Sequence, residues 1–131
     1  WETSAVLGGS VMIIHTVQMA KWRKAKERNI PFLDTTVKSG NDAFAPAWDM
    51  VMGIKQGRLS EDAYRQQYID MMRESWAYRR LEWEKVLQMD QVALACYCSA
   101  GKFCHRHILK EILMKIQQQR GVEVVDGGEV E

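Results

Sequence analysis

The twelve residues from Cys96 to His107, "CYCSAGKFCHRH", hold three cysteines, two histidines, one lysine and one arginine. Thiolates attack electrophiles and bind soft metals, imidazole moves protons near neutral pH, and a guanidinium fork holds phosphate. The stretch leads into a helical apolar pattern, so Lys102, His105, Arg106 and His107 stand at a helix start. Unpaired amides make that end partly positive and normally favour acids there. A guest of negative charge is the expected reason for the exception.

Three chemistries fit these residue types. In the first, a turn through Ser99, Ala100 and Gly101 aims backbone amides at a phosphate, with Lys102 and Arg106 adding charge-assisted bonds. Against it stands a structural role in which Arg106 pairs with an acid such as Asp34. In the second, "CSAG" from Cys98 resembles the phosphate loop of cysteine-dependent phosphatases, but Cys104 occupies the position of their arginine. Cys104, at the helix start beside His105 and Arg106, is then either an activated thiol or a small residue packed under the loop. In the third, Cys96, Cys98, Cys104 and His107 form a C-x-C-x5-C-x2-H set that supplies four zinc ligands. No cofactor is the working expectation, with zinc the alternative.

The elements that must position these residues are legible from periodicity. "QVALACYC" reads as a central parallel strand, nearly continuous in small and apolar residues. Ile108, Leu109, Ile112, Leu113 and Ile116 follow a helical period, Gly121 stops it, and "VEVV" offers an edge strand. Upstream, "VMIIHTV" suits a buried strand, "QMAKWRKAKERN" a helix, and "PFLDTTV" a second strand that leaves Asp34, Thr36 and Lys38 near its end. "APAWDMVMGIKQG" reads as a short helix with Pro46 in its first turn. Ser60 caps a longer one carrying Tyr64, Tyr68, Met71 and Met72 as a core stripe, with a break expected near Ser75. Alternating strands and helices predict an α/β fold, a small three-layer Rossmann-like domain with a mostly parallel four-strand sheet and flanking helices. The loops after "IIHT", "FLDT" and "LACYC" should then meet on one rim, where ligands of such sheets bind.

Composition bounds the rest. The chain has 131 residues, enough for one core, with 18 basic and 17 acidic side chains, so no bulk charge marks a nucleic-acid or membrane surface. Residues 1–10 are expected to be a flexible N-terminal segment, 11–126 a single domain, and 127–131 an acidic tail. The longest apolar run is far shorter than the roughly 20 residues of a bilayer span, which predicts no membrane association. Three cysteines without a secretory leader fit a reducing cytoplasm better than a disulfide framework.

At "VALACYCSAGKFCHRHIL" the chain resembles the domain-of-unknown-function family 488, whose signature is an apolar strand ending in cysteine, a short loop, and Cys-His-Arg entering a helix. Cys96, Cys104, His105 and Arg106 match it, and "FAPAWDMVMGIKQGRLSEDAYRQQYIDMM" is similar to the family's middle segment. Cys98 stands where many members carry glutamate, and Asp34 and Thr36 stand where the second strand often ends in Asp-x-Arg. The resemblance implies a fold and a site without naming a reaction. The expected site is a phosphate-binding rim of Gly101, Lys102, Cys104 and Arg106, opposed by Thr16 and Thr36, with His105 as acid or base and Asp34 orienting it. The expected ligand is a nucleotide or a nucleic-acid phosphate. The alternative is a module without turnover that sequesters such a ligand or binds a regulatory protein.

Overall fold

The computed structural model describes residues 11–98 and 103–131. The chain runs β1 (Val11–Gln18), a 3-10 turn (Met19–Lys21), α1 (Trp22–Glu27), β2 (Phe32–Asp34), α2 (Trp48–Lys55), α3 (Glu61–Tyr78), α4 (Arg80–Leu87), β3 (Gln91–Cys96), α5 (His105–Gln119) and β4 (Glu123–Val130). All four strands are parallel, in the order β2-β3-β1-β4. The expected α/β, Rossmann-like fold is the one observed.

Parallel neighbours need crossovers, and these load the two faces of the sheet unequally. On one face Met12, Ile14, Val92 and Leu94 pack against Tyr68, Met72, Trp83, Leu109, Leu113 and Ile116 from α3, α4 and α5. On the other, Val17, Ala93, Ala95 and Val130 meet Ala25 of α1 and Ile30. This explains the small residues of β3: the alanines lie under a helix of only six residues, while Val92 and Leu94 face the thicker layer.

Helix ends follow their sequence cues. Ser60 accepts from the Ala63 amide at 3.1 Å and opens α3, while Gly57 and Gly121, at φ 73° and 78°, end α2 and α5 in the left-handed region that glycine tolerates. The break between α3 and α4 falls at Arg79, later than the Ser75 expected. Ser75 stays helical because its hydroxyl bonds the Ala43 carbonyl at 2.6 Å and receives Trp83 Nε1 at 2.9 Å.

The C-terminal segment departs from expectation. Residues 127–130 are no tail: β4 continues through them and pairs with β1 as far as Val17 opposite Val130. The pairing shifts by one residue between Ile14 and His15, which face Asp126 and Gly128 and leave Gly127 as the extra residue. Such a bulge inverts the side-chain alternation beyond it. Among the described residues, no helix is long and apolar enough to cross a membrane.

Candidate functional site

The expected rim is only partly assembled. A cavity of about 820 Å³ opens beyond the carboxyl ends of β2 and β3, lined by Thr36 and Lys38 after β2, Trp48 and Lys55 of α2, Tyr64 of α3, and Cys96, Cys98, Phe103, Cys104 and His105. The end of β1 takes no part: the strand runs on to Gln18, so Thr16 lies inside it. Thr16 instead donates to Glu129 Oε1 at 2.5 Å. Gly101 and Lys102 lie outside the described residues.

Arg106 corrects the leading expectation. It is fully buried, and Nη1 donates to Cys96 Sγ at 2.7 Å and to the Cys98 carbonyl at 3.0 Å. Nη2 faces Glu129 at 3.3 and 3.4 Å. The guanidinium therefore ties the cysteine loop to β4 rather than facing the cavity, and its acid is Glu129, not Asp34. A buried charge needs such a partner, and the Gly127 bulge supplies it by turning Glu129 toward Thr16 and α5.

Asp34 does not orient His105. Its carboxylate receives the Thr36 amide at 2.9 Å, the Thr36 hydroxyl at 2.7 Å and the Ser39 hydroxyl at 2.7 Å. Burial raises its pKa, but these three donors outweigh it and hold the carboxyl below its usual range. The turn they close is tight, since a Cβ on Gly40 would collide with the Thr36 backbone and the Asp34 carbonyl. Thr36 reaches the cavity wall with its hydroxyl already engaged by Asp34.

Thr35 is the residue that orients His105. Its carbonyl lies 2.8 Å from Nε2 and its hydroxyl 2.9 Å, and that hydroxyl donates onward to the Ala95 carbonyl at 2.8 Å. A carbonyl only accepts, so Nε2 carries the proton and Nδ1 keeps a lone pair. That lone pair lies 3.6 Å from Cys104 Sγ. The ring packs against Tyr68 at 5.6 Å between centroids. Burial pushes the His105 pKa down to about 4, with Arg106 and His107 adding to the shift against the Thr35 bond. At neutral pH this is a neutral imidazole able to accept a proton or ligate; of the two roles expected, acid or base, burial leaves it without the proton an acid would give.

The proposed zinc set is rearranged. Among the described residues, the donor atoms of Cys96, Cys104 and His105 lie within 4.8 Å of one another, all buried, and Cys96 and Cys104 are paired as a disulfide, against the expectation of free thiols: the fold brings the strand end and the helix start together whatever their spacing in sequence. Cys98 lines the cavity outside this group. His107 stands among Arg106, Lys110, Glu129 and Asp126, with its pKa lowered by burial and by the two cations. Helical geometry accounts for the swap: His105 and His107 are two positions apart and therefore project from different faces.

Sequence reasoning missed Tyr64, read as core stripe, and the lysines Lys38 and Lys55. Tyr64 is buried, which raises its phenol pKa, with Cys98 adding to the effect. It meets Phe103 edge to face at 5.3 Å, giving the cavity an aromatic wall. Only the position of "KS" just past a predicted strand hinted at Lys38.

No curated protein and no solved structure matches the chain. A family model does match over residues 13–117, spanning nearly all of β1 through α5 and every described residue of the cavity wall. The chain belongs to the DUF488-N3a family, described as the active DUF488-N3 subclade.

Proposed function

We propose that the cavity binds a nucleotide and that the protein acts on it. The observation that carries this reading is the combination in one cavity of Trp48, Tyr64 and Phe103 with two cations, Lys38 and Lys55. Flat rings give a base an apolar face to stack on, and ammonium groups give its phosphates charge-assisted bonds. Lys38 lies 5.6 Å from the Trp48 ring centroid, so cation and stacking surface are adjacent. Glu61, also in the wall, is an acceptor for sugar hydroxyls or a base amine. The cavity lies at the carboxyl ends of parallel strands, where ligands of such sheets gather. A subclade described as active supports turnover over passive binding, which would require the Nδ1 lone pair of His105 that its Thr35 bond leaves available. The cytoplasm belongs to the same reading, as the reducing compartment in which the Cys96–Cys104 pair would be open.

Titration with adenosine and guanosine mono-, di- and triphosphates, followed by intrinsic tryptophan fluorescence with Trp48→Phe as the control, tests the reading. Lys38→Ala and Lys55→Ala should each weaken binding about tenfold, the worth of one charge-assisted bond. Equal affinity in both variants would reject the phosphate site. Chromatography of the ligand after long incubation then separates enzyme from sequestering module: turnover lost in His105→Ala marks the enzyme, whereas ligand recovered unchanged marks the module.

A further inference from the structure

The geometry points to a metal site: Cys96, Cys104 and His105 hold a zinc ion whose fourth coordination position opens into the cavity. The three donors come from the end of β3, the residue before α5 and its first turn, and all are buried. Two thiolates and one imidazole with an open position make a known type of catalytic zinc set. Tetrahedral zinc holds its ligand atoms about 3.3–3.8 Å apart, and these lie within 4.8 Å of one another. The Cα atoms of Cys96 and Cys104 stand 7.8 Å apart, wider than the about 4.4–6.8 Å usual for a disulfide. The structure pairs the two sulfurs as a disulfide, so the site belongs to the reduced chain, in which a small-molecule thiol has split that bond and this spacing lets two thiolates face a common ion.

The surroundings are those a ligand set requires. A metal-bound histidine usually donates its other ring N–H to a carbonyl or carboxylate, which fixes tautomer and orientation. His105 does this through Nε2 to the Thr35 carbonyl at 2.8 Å, keeping the Nδ1 lone pair on the side of Cys104. Arg106 donates to Cys96 Sγ at 2.7 Å, a bond that stabilises a thiolate. The charges also balance: two equivalents of a small-molecule thiol reduce the Cys96–Cys104 disulfide and leave as their own disulfide, zinc entry then displaces the two cysteine thiol protons, two thiolates offset the dication, and Arg106 remains neutralised by Glu129. An entry path exists because all three ligands line the cavity. Its ligands share the cavity wall with Lys38 and Lys55, but zinc binding does not depend on a nucleotide.

Zinc content of the full chain, produced without a histidine tag and kept reduced, should approach one ion per chain by plasma mass spectrometry. Cobalt in its place should give thiolate charge-transfer absorption and the intense visible bands of a tetrahedral site. Cys96→Ser, Cys104→Ser and His105→Ala should each lower zinc affinity at least tenfold, while Cys98→Ser and His107→Ala retain it. Circular dichroism separates ligand loss from misfolding, and the wild-type cobalt spectrum needs no variant. Zinc below a tenth of an equivalent with no cobalt bands in the reduced wild type would overturn the site. So would equal loss in Cys98→Ser and His107→Ala. All of these readings are taken without nucleotide, so their failure leaves the binding test of the cavity intact, and the reverse holds too.

Discussion

Burial and the Thr35 carbonyl keep His105 neutral, and this links it to stability as well as chemistry. Its pKa falls from 6.5 in the unfolded chain to about 4 in the fold. Between those values the unfolded state takes up a proton that the native state refuses. The stabilisation is therefore complete above pH 6.5 and is lost as pH falls toward 4, by up to about 3 kcal/mol. His107, also shifted down, adds in the same direction. Urea denaturation of chelator-treated protein between pH 8 and pH 4.5 should show this decline, with a shallower slope in His105→Gln. Parallel slopes would mean that His105 is hydrated in solution. At this scale the sequence revealed the residue types that matter but not their partners. The Cys-His-Arg run was plain, whereas Glu129, Thr35 and the cavity lysines lie on other segments, and no local pattern announces which side chain a buried arginine will meet.

Elements were more legible than contacts, because period and caps are local properties while pairing is not. The apolar run of β3, the stripe of α5, Ser60 as a cap and the glycine stops all appear in the fold as read. The bulge in β4 does not show in hydropathy, since a single inserted glycine looks like a turn. Its reason lies across the sheet: a Cβ on Gly127 would run into the imidazole of His15, itself buried. Gly127→Ala should therefore cost about 1–3 kcal/mol as overpacking, and it should also move Glu129 away from Arg106. Chemical denaturation together with the backbone amide shifts of residues 128–130 would report both effects. An unchanged midpoint would show that the sheet admits the methyl group and that space does not set the bulge.

At the scale of the whole molecule, fold class followed from the alternation of strands and helices, and the cavity from the rule that such sheets bind ligands at their carboxyl edge. What the rule left open was which loops contribute, because strand order depends on long-range pairing. That order has a kinetic consequence. β1 lies between β3 and β4, with Ile13 opposite Gln91 and Val11 opposite Glu123, so β1 leaves the ribosome well before the two strands it pairs with. Loop closure over such separations slows the rate-limiting step. Stopped-flow refolding followed by tryptophan emission should show sheet formation as one late event, and a fragment ending at Leu87 should have no slowly exchanging amides in β1. Protection in that fragment would mean that β1 finds order by itself; without it, the nascent chain carries an exposed "VMII" segment that a chaperone must shield until β3 and β4 have both emerged.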